Sequence, residues 1–327
     1  MQVQSKRISI NKSGVDDVSL SVIVPVYNEA GSIAKLTEQL IRQLRDMGYA
    51  FDLILVDDGS TDETARELRL LSERFPEIKP RFLARNYGQS TAMQCGFDSS
   101  EADVIVTLDG DLQNDPADIP MMVERLLRED LDVVSGWRRQ RRDPFLRKML
   151  SRVANRIIAR LTRVDLHDFG CSLKVYRREL LIRTRIYGEM HRFLPALLGE
   201  VGAKVAESEV NHKPRVHGHS KYSLDRTFRV LLDIVFVVFL RKYLQRPLHF
   251  FGGAGLVCLI PGSAGLGYLV LLKLFAGADI GTRPLLVLSA LLVLVGVILI
   301  CQGLVGEVIS RILFEAGKRP QYYLKRE

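Results

Sequence analysis

Val104-Ile-Val-Thr-Leu-Asp-Gly-Asp-Leu-Gln113 is an apolar run that ends in two carboxylates one residue apart. An unbroken run of this kind suits a strand buried on both faces, as in parallel sheets covered by helices. Asp109 and Asp111 then fall just past the strand's carboxyl end, where open α/β sheets bind ligands. Paired oxygen ligands at this spacing suit a hard cation such as Mg²⁺ or Mn²⁺, which in turn neutralises a diphosphate. Asp115 and Pro116 read as the N-cap and first residue of the next helix. An isolated Asp-x-Asp fits an ordinary acidic loop equally well, so the rest of the chain has to decide.

Upstream and downstream of this stretch, short apolar runs alternate with helical patterns from Val18 to about Gly136. The expected strands are Leu20–Val24, Phe51–Val56, a weaker Arg81–Ala84, Val104–Leu108 and Asp132–Val134. Between the first two, Ile33, Leu36, Leu40, Leu44 and Met47 share one helical face. Ser60-Thr-Asp-Glu63 matches a capping box and predicts a helix start, and a third helix is expected from Gln89. The alternation implies a Rossmann-like α/β domain with a mostly parallel sheet. Beyond Trp137 the pattern changes to a basic loop, a helix over 146–161, a strand at Ser172–Tyr176, a helix at Phe193–Leu198 and a strand near Ala203–Val210.

The C-terminal third is different in kind. Residues 250–274 and 284–305 are almost free of charge and each exceeds the ~20 apolar residues that cross a bilayer as a helix. Two such runs about ten residues apart predict a transmembrane hairpin better than two core helices. Arg241, Lys242 and Arg246 precede it, and Arg311, Lys318, Arg319, Lys325 and Arg326 follow. The positive-inside rule therefore places both termini on the cytoplasmic side of the inner membrane. The apolar-rich Phe228–Leu240 is too short to span and is expected to lie at the interface. The implied organisation is a loose polar leader over 1–17, a catalytic domain over 18–222, an interface helix and linker over 223–247, two spans within 248–308 and a cytoplasmic tail over 309–327. A net charge of +8 could suggest nucleic acid, but ten Arg or Lys residues lie between Arg138 and Arg163 against one acid, Asp143. Beside a membrane hairpin, anionic headgroups or a lipid phosphate are the better partners. Four scattered cysteines with no CxxC pair predict neither a disulfide nor a zinc site.

Pro25-Val-Tyr-Asn-Glu29, Asp57-Asp-Gly-Ser60, Arg85-Asn-Tyr-Gly88 and Asp109-Gly-Asp-Leu-Gln113, in this order, resemble the family 2 glycosyltransferases of GT-A fold. Phe145-Leu-Arg-Lys-Met-Leu-Ser-Arg152, Asp168-Phe-Gly-Cys171 and Gly218-His-Ser-Lys-Tyr222 resemble their polyprenyl-phosphate branch, which includes dolichol-phosphate mannosyltransferases and undecaprenyl-phosphate glucose and aminoarabinose transferases. The resemblance implies a metal-dependent, inverting transfer of a sugar from a nucleotide diphosphate, with UDP expected over GDP, to a polyprenyl phosphate. It implies that Pro25, Tyr27, Glu29 and Asp57 line the nucleotide pocket with Asp58 in support, and that Asp109, Asp111 and Gln113 hold Mg²⁺ or Mn²⁺. Arg138, Arg147 and Ser151 would grip the acceptor phosphate, Arg215, Ser220 and Lys221 would close over the phosphates, and Asp168 would sit near the reacting centre.

A phosphate acceptor suits this residue set on physical grounds. A phosphate monoester carries roughly −1.5 to −2 charge at neutral pH, so its oxygen needs no general base to attack. The difficulty is to bring one anion up to another, which calls for cations. Asn28, Glu29 and the Asp58-Gly-Ser turn also have plain structural readings as caps and turns. His212, His217 and His219 suit a phosphate loop better than a metal site, because Lys213, Arg215 and Lys221 surround them. Trp137 either packs over a sugar or wedges beneath the basic loop. Two rival functions are a processive polysaccharide synthase, which this chain's lack of a Gln-x-x-Arg-Trp segment opposes, and a non-catalytic scaffold, which the intact Asp109–Asp111 pair opposes. The sugar itself and the choice between monomer and homo-oligomer are not encoded in any of these motifs.

Overall fold

The computed structural model describes residues 18–139, 159, 164–182, 184–186, 188–200, 202–212, 243 and 246–316. The chain divides into two compact units, Met1–Arg229 and Val230–Glu327. In the first, strands β1 (Ser19–Val26), β2 (Ala50–Asp57), β3 (Ile78–Phe82), β4 (Val104–Thr107), β5 (Val133–Trp137), β6 (Lys174–Arg177) and β7 (Val205–Glu209) form one sheet in the order β3-β2-β1-β4-β6-β5-β7. Helices α1 (Ile33–Asp46), α2 (Thr64–Arg74), α3 (Gln89–Ser99), α4 (Ile119–Arg128), α5 (Arg178–Ile182) and α6 (Leu194–Glu200) connect them.

Burial explains the strands. Leu53 to Asp57 and Val104 to Thr107 are buried at every position, so these strands are sandwiched on both faces. On α1 the buried set is Ile33, Leu36, Thr37, Leu40, Ile41 and Leu44, a single stripe against the sheet. β1 pairs in parallel with β2 on one side and β4 on the other, whereas β6 runs antiparallel to β4 and β5. The chain leaves β1 toward β2 and β3 and returns to its other side at β4, so the crevice between the carboxyl ends of β1 and β4 is a topological switch point. Because β6 is reversed, its first residue Lys174 lies in register with Thr107 of β4 and Ser135 of β5. The loop that enters β6 therefore arrives at the same sheet edge as the loops that leave β1, β2, β4 and β5.

Several local expectations change. The capping box at Ser60 does not form: α2 begins at Thr64, and the Thr64 amide and hydroxyl both donate to Asp62 Oδ1 at 3.0 and 2.5 Å. The Ser60 hydroxyl accepts instead from the Asn28 amide at 2.9 Å, a partner from another loop. β3 starts earlier than expected and carries Pro80, which a sheet edge tolerates. Asp115 and Pro116 behave as read, with the Asp115 side chain accepting from the Ala117 amide at 3.2 Å and Pro116 opening a short 3₁₀ turn ahead of α4.

The second unit contains α7 (Pro247–Ala276) and α8 (Pro284–Ala316), each opened by a proline at its first turn and each longer than its expected span. Both are long and apolar enough to cross a bilayer. Val257, Leu274 and Phe275 are among the large apolar side chains left exposed on them. The helices touch through glycine: a Cβ on Gly296 would lie 2.8 Å from the Gly255 carbonyl oxygen, and one on Gly262 would lie 2.8 Å from the Val293 amide nitrogen. Gly255, Gly262 and Gly265 thus serve packing within the hairpin, while nothing lies within 4 Å of a Cβ on Gly253 or Gly267. The expected helix over 146–161 and the interface helix at Phe228–Leu240 fall almost wholly outside the described residues, as does 317–327 of the expected tail, whereas 309–316, expected as tail, continue α8.

Candidate active site

The loops at the switch point are tied together by contacts that fix their geometry. Gly110 packs against β1, where a Cβ would come within 2.8 Å of Val26 Cγ1, and this lets the Asp109–Asp111 loop lie directly over the Pro25–Glu29 segment. The Ser32 hydroxyl lies 2.6 Å from Glu29 Oε2 and 2.9 Å from the Gly110 carbonyl oxygen, bridging the two loops. Along the chain Leu108, Gly110, Leu112 and Asn114 are buried while Asp109, Asp111 and Gln113 are partly exposed. Three oxygen-bearing side chains therefore alternate onto the accessible side. Leu112 takes φ 62°, unusual for a leucine, and the Gln113 amide donates to Asp111 Oδ1 at 3.2 Å.

This set suits a hard divalent cation. Among the described residues no three His, Cys, Asp or Glu side chains form a closed metal cage. Two carboxylates and an amide oxygen match the habit of Mg²⁺-type ions, which take one or two protein carboxylates and complete their shell with water and substrate phosphate.

The nucleotide-side candidates occupy the same edge. Pro25 and Glu29 are partly buried, Tyr27 is 45% exposed, and Asp57 and Asp58 are buried. Asp57 Oδ1 accepts from the Ser60 amide at 3.0 Å. Asp58 accepts from the Tyr87 and Gly88 amides at 2.8 and 2.9 Å, while its own amide donates to the Val26 carbonyl. Gly59, at φ 70°, leaves no room for a side chain, since a Cβ would sit 2.7 Å from Arg85 Cα and Asn86 N. The Asp57–Ser60 and Arg85–Gly88 motifs are thus two halves of one interlock.

On the other flank, Arg138 and Asp168 form a fork-to-fork pair, Nε to Oδ2 at 2.7 Å and Nη2 to Oδ1 at 2.9 Å, with side chains 11% and 4% exposed. Burial opposes the Arg138 charge, but the Asp168 hydrogen bonds and charge outweigh it and push the guanidinium pKa further up. Arg138 therefore spends two donors on Asp168, and only the remainder of its fork is left for a phosphate. Trp137 stacks on His167, ring centroids 4.4 Å apart.

Behind these loops lie residues that the motifs did not single out. Gln89 Nε2 donates to Asp109 Oδ1 at 2.7 Å. Lys174, buried, donates to the carbonyls of Phe169, Arg192 and His191 at 3.2, 3.3 and 3.5 Å, joining the Asp168 loop to the Met190–Arg192 turn. Burial brings its ammonium down to about 8, against the pull of Cys171 and Asp168. His191 Nδ1 lies 2.7 Å from Ser90 Oγ, and burial, with the Arg192 and Lys174 charges, lowers its pKa to about 3. Burial pushes the Cys171 thiol up to about 11. A lysine inside the otherwise apolar Leu173–Tyr176 run was the visible sign of Lys174; Gln89 and His191 carried no comparable signal. The structure thus gathers Pro25, Tyr27, Glu29, Asp57, Asp58, Asp109, Asp111, Gln113, Arg138 and Asp168 along one sheet edge. Arg147, Ser151, Arg215, Ser220 and Lys221 lie outside the described residues.

The sequence model of glycosyl transferase family 2 matches residues 21–185. Dodecaprenyl-phosphate galacturonate synthase of Rhizobium johnstonii is 42% identical over 335 residues, covering 100% of this chain and 98% of the relative. Undecaprenyl-phosphate 4-deoxy-4-formamido-L-arabinose transferase of Pseudomonas aeruginosa is 36% identical over 309 residues, covering 94% and 89%. Among solved structures, glucosyl-3-phosphoglycerate synthase from Mycobacterium tuberculosis, in complex with Mn²⁺, UDP and glucosyl-3-phosphoglycerate, superposes with a TM-score of 0.52 at 20% identity over 69% of this chain and 80% of that one. That likeness is one of fold.

Proposed function

We propose, from the premise that this chain belongs to glycosyl transferase family 2, that it moves a sugar from a nucleoside diphosphate, UDP in the first instance, to a polyprenyl phosphate. The observation that carries the reading is the loop at the β1–β4 switch point, where Asp109, Asp111 and Gln113 alternate onto the accessible side beside Pro25–Glu29. Relatives named for polyprenyl-phosphate products support the acceptor class, and a fold neighbour holding Mn²⁺ and UDP supports the donor and metal class.

In this reading Asp109, Asp111 and Gln113 would hold Mg²⁺ or Mn²⁺, which when bound neutralises the leaving diphosphate. Pro25, Tyr27, Glu29 and Asp57 contact the nucleotide, and Asp58 braces their loops. An oxygen of the acceptor phosphate attacks the anomeric carbon as the bond to the diphosphate breaks. The products are a sugar phosphodiester of inverted configuration and the free nucleoside diphosphate. The acceptor oxygen is already anionic, so no side chain has to remove a proton. Arg138 offers its uncommitted N–H groups to the acceptor phosphate, oriented by Asp168, with Arg147, Ser151, Arg215, Ser220 and Lys221 as further grips. The α7–α8 hairpin anchors the enzyme in the inner membrane with the catalytic unit on the cytoplasmic side, following the flanking basic residues.

The test is a donor panel. Full-length protein in detergent is given UDP- and GDP-sugars, galacturonic acid and 4-deoxy-4-formamido-arabinose included, with Mg²⁺ or Mn²⁺ and undecaprenyl phosphate, and the lipid fraction is weighed by mass spectrometry. A glycolipid that wild type forms and Asp109→Asn does not is expected. Metal-independent UDP binding, unchanged in Asp109→Asn, with no product from any donor would leave a nucleotide-binding scaffold in place of an enzyme.

A further inference from the structure

We propose that Gln89 is a positioning residue for Asp109, and that the interlocked Asp57–Ser60 turn and Arg85–Gly88 loop are the clamp that holds it in place. The inference rests on the reading that Asp109 helps to hold a divalent cation.

Gln89 is the first residue of α3, and its side-chain amide nitrogen meets Asp109 Oδ1 at 2.7 Å. The donor and acceptor are 20 residues apart in sequence, one opening α3 and the other on the loop after β4. Such a contact depends on how both segments are held, and here each is fixed by its own contacts. On the Gln89 side, the buried Asp58 carboxylate takes the two amides immediately preceding Gln89, those of Tyr87 and Gly88. Gly88 adopts φ 94°, a conformation few side chains tolerate, so the chain turns sharply into α3 at this point. Gly59 lets the two backbones touch, and Ser90, the next residue, is held by His191 on the far side. On the Asp109 side, Gly110 rests on Val26 and its carbonyl is bridged through Ser32 to Glu29. The Arg85–Gly88 motif then has a physical task of its own: it aims the residue that follows it.

The chemistry favours an amide for that task. A carboxylate that ligates a metal needs its orientation fixed without losing its charge. A neutral N–H takes one lone pair of Oδ1 and leaves Oδ2 and the remaining Oδ1 lone pair for the cation. A lysine in the same place would fix the carboxylate equally well but compete with the metal for its charge. Partners of this kind behind a metal ligand are worth about 10–100-fold in metal affinity.

The experiment titrates Mn²⁺ into full-length protein in detergent with UDP present and follows free Mn²⁺ by electron paramagnetic resonance, a readout independent of turnover. Gln89→Met keeps the length and removes the donor; Gln89→Asn keeps the donor and withdraws it from reach. Both are expected to weaken Mn²⁺ about 10–100-fold, with metal-free UDP affinity and melting temperature unchanged. Mn²⁺ affinity equal to wild type in both variants would overturn the inference, and so would a loss confined to UDP binding. Asp109→Asn separates the two levels: wild-type Mn²⁺ affinity in that variant would remove the metal-site reading itself, and the role of Gln89 with it.

Discussion

Arg138→Met should cost the catalytic unit about 3–5 kcal/mol, the usual penalty for breaking a buried ion pair by removing one partner. The magnitude follows from the geometry. Arg138 and Asp168 are 11% and 4% exposed and share two hydrogen bonds of 2.7 and 2.9 Å. The variant removes the Arg138 cation that shares two hydrogen bonds with the buried Asp168 carboxylate. At roughly 2–4 °C per kcal/mol for a domain of this size, the melting temperature should fall by about 6–20 °C. Asp168→Asn should cost less, because the amide keeps an oxygen for the Gly170 amide that donates to Oδ1 at 3.1 Å. The double variant should be milder than the sum of the singles by about 2–3 kcal/mol, since the two side chains interact directly. Trp137 is the only tryptophan in the chain and stacks on His167 beside the pair, so its fluorescence in a denaturant titration reports this region. Arg138→Met within about 0.5 kcal/mol of wild type, or strict additivity in the double variant, would refute the reasoning.

His191 predicts an acid-sensitive stability. Its pKa is about 3 folded against 6.5 unfolded, so the unfolded chain binds the extra proton between those values. The contribution is complete above pH 6.5 and is lost as pH falls toward 3, with a slope of up to ~1.4 kcal/mol per pH unit. Urea melts of wild type and His191→Asn between pH 7 and 4 should show the steeper decline in wild type; parallel curves would contradict it. Gly59→Ala should lower stability by at least ~1–2 kcal/mol from its left-handed backbone alone, and by more because the new methyl meets the Arg85 backbone. It should also weaken Mn²⁺ in the electron paramagnetic resonance titration, because the Arg85–Gly88 loop aims Gln89. A stable Gly59→Ala protein with wild-type metal affinity would break that link.

The elements that could be read from sequence are those written in local periodicity. Val104–Leu108 and Phe51–Val56 announced themselves as short apolar runs, and the stripe Ile33, Leu36, Leu40 and Leu44 is the buried face of α1. What escaped was contact at long sequence range. Nothing near Asp58 signals that its carboxylate will take amides 29 and 30 residues away, and nothing near Gln89 points to Asp109. The capping box failed for the same reason. A competing Asp62 stood closer to Thr64, and Ser60 was taken by Asn28, so tertiary contacts overrode a valid local pattern. The resemblance implied Arg138 as a phosphate ligand, and nothing in the sequence showed that two donors of its fork are committed to Asp168. Gly255, Gly262 and Gly265 of α7 meet α8, another contact at long sequence range.

The central claim is that the acceptor brings its own nucleophile, an anionic phosphate oxygen, to a site built of cations and a metal-holding loop. It is tested most directly by offering wild-type enzyme undecaprenyl phosphate and undecaprenol side by side, with the productive donor and Mn²⁺, and weighing the lipid products by mass. The account predicts glycosylated undecaprenyl phosphate, one nucleoside diphosphate released per product, and no transfer to undecaprenol. Transfer to undecaprenol at a comparable rate, or to a soluble acceptor and never to the lipid phosphate, would contradict it.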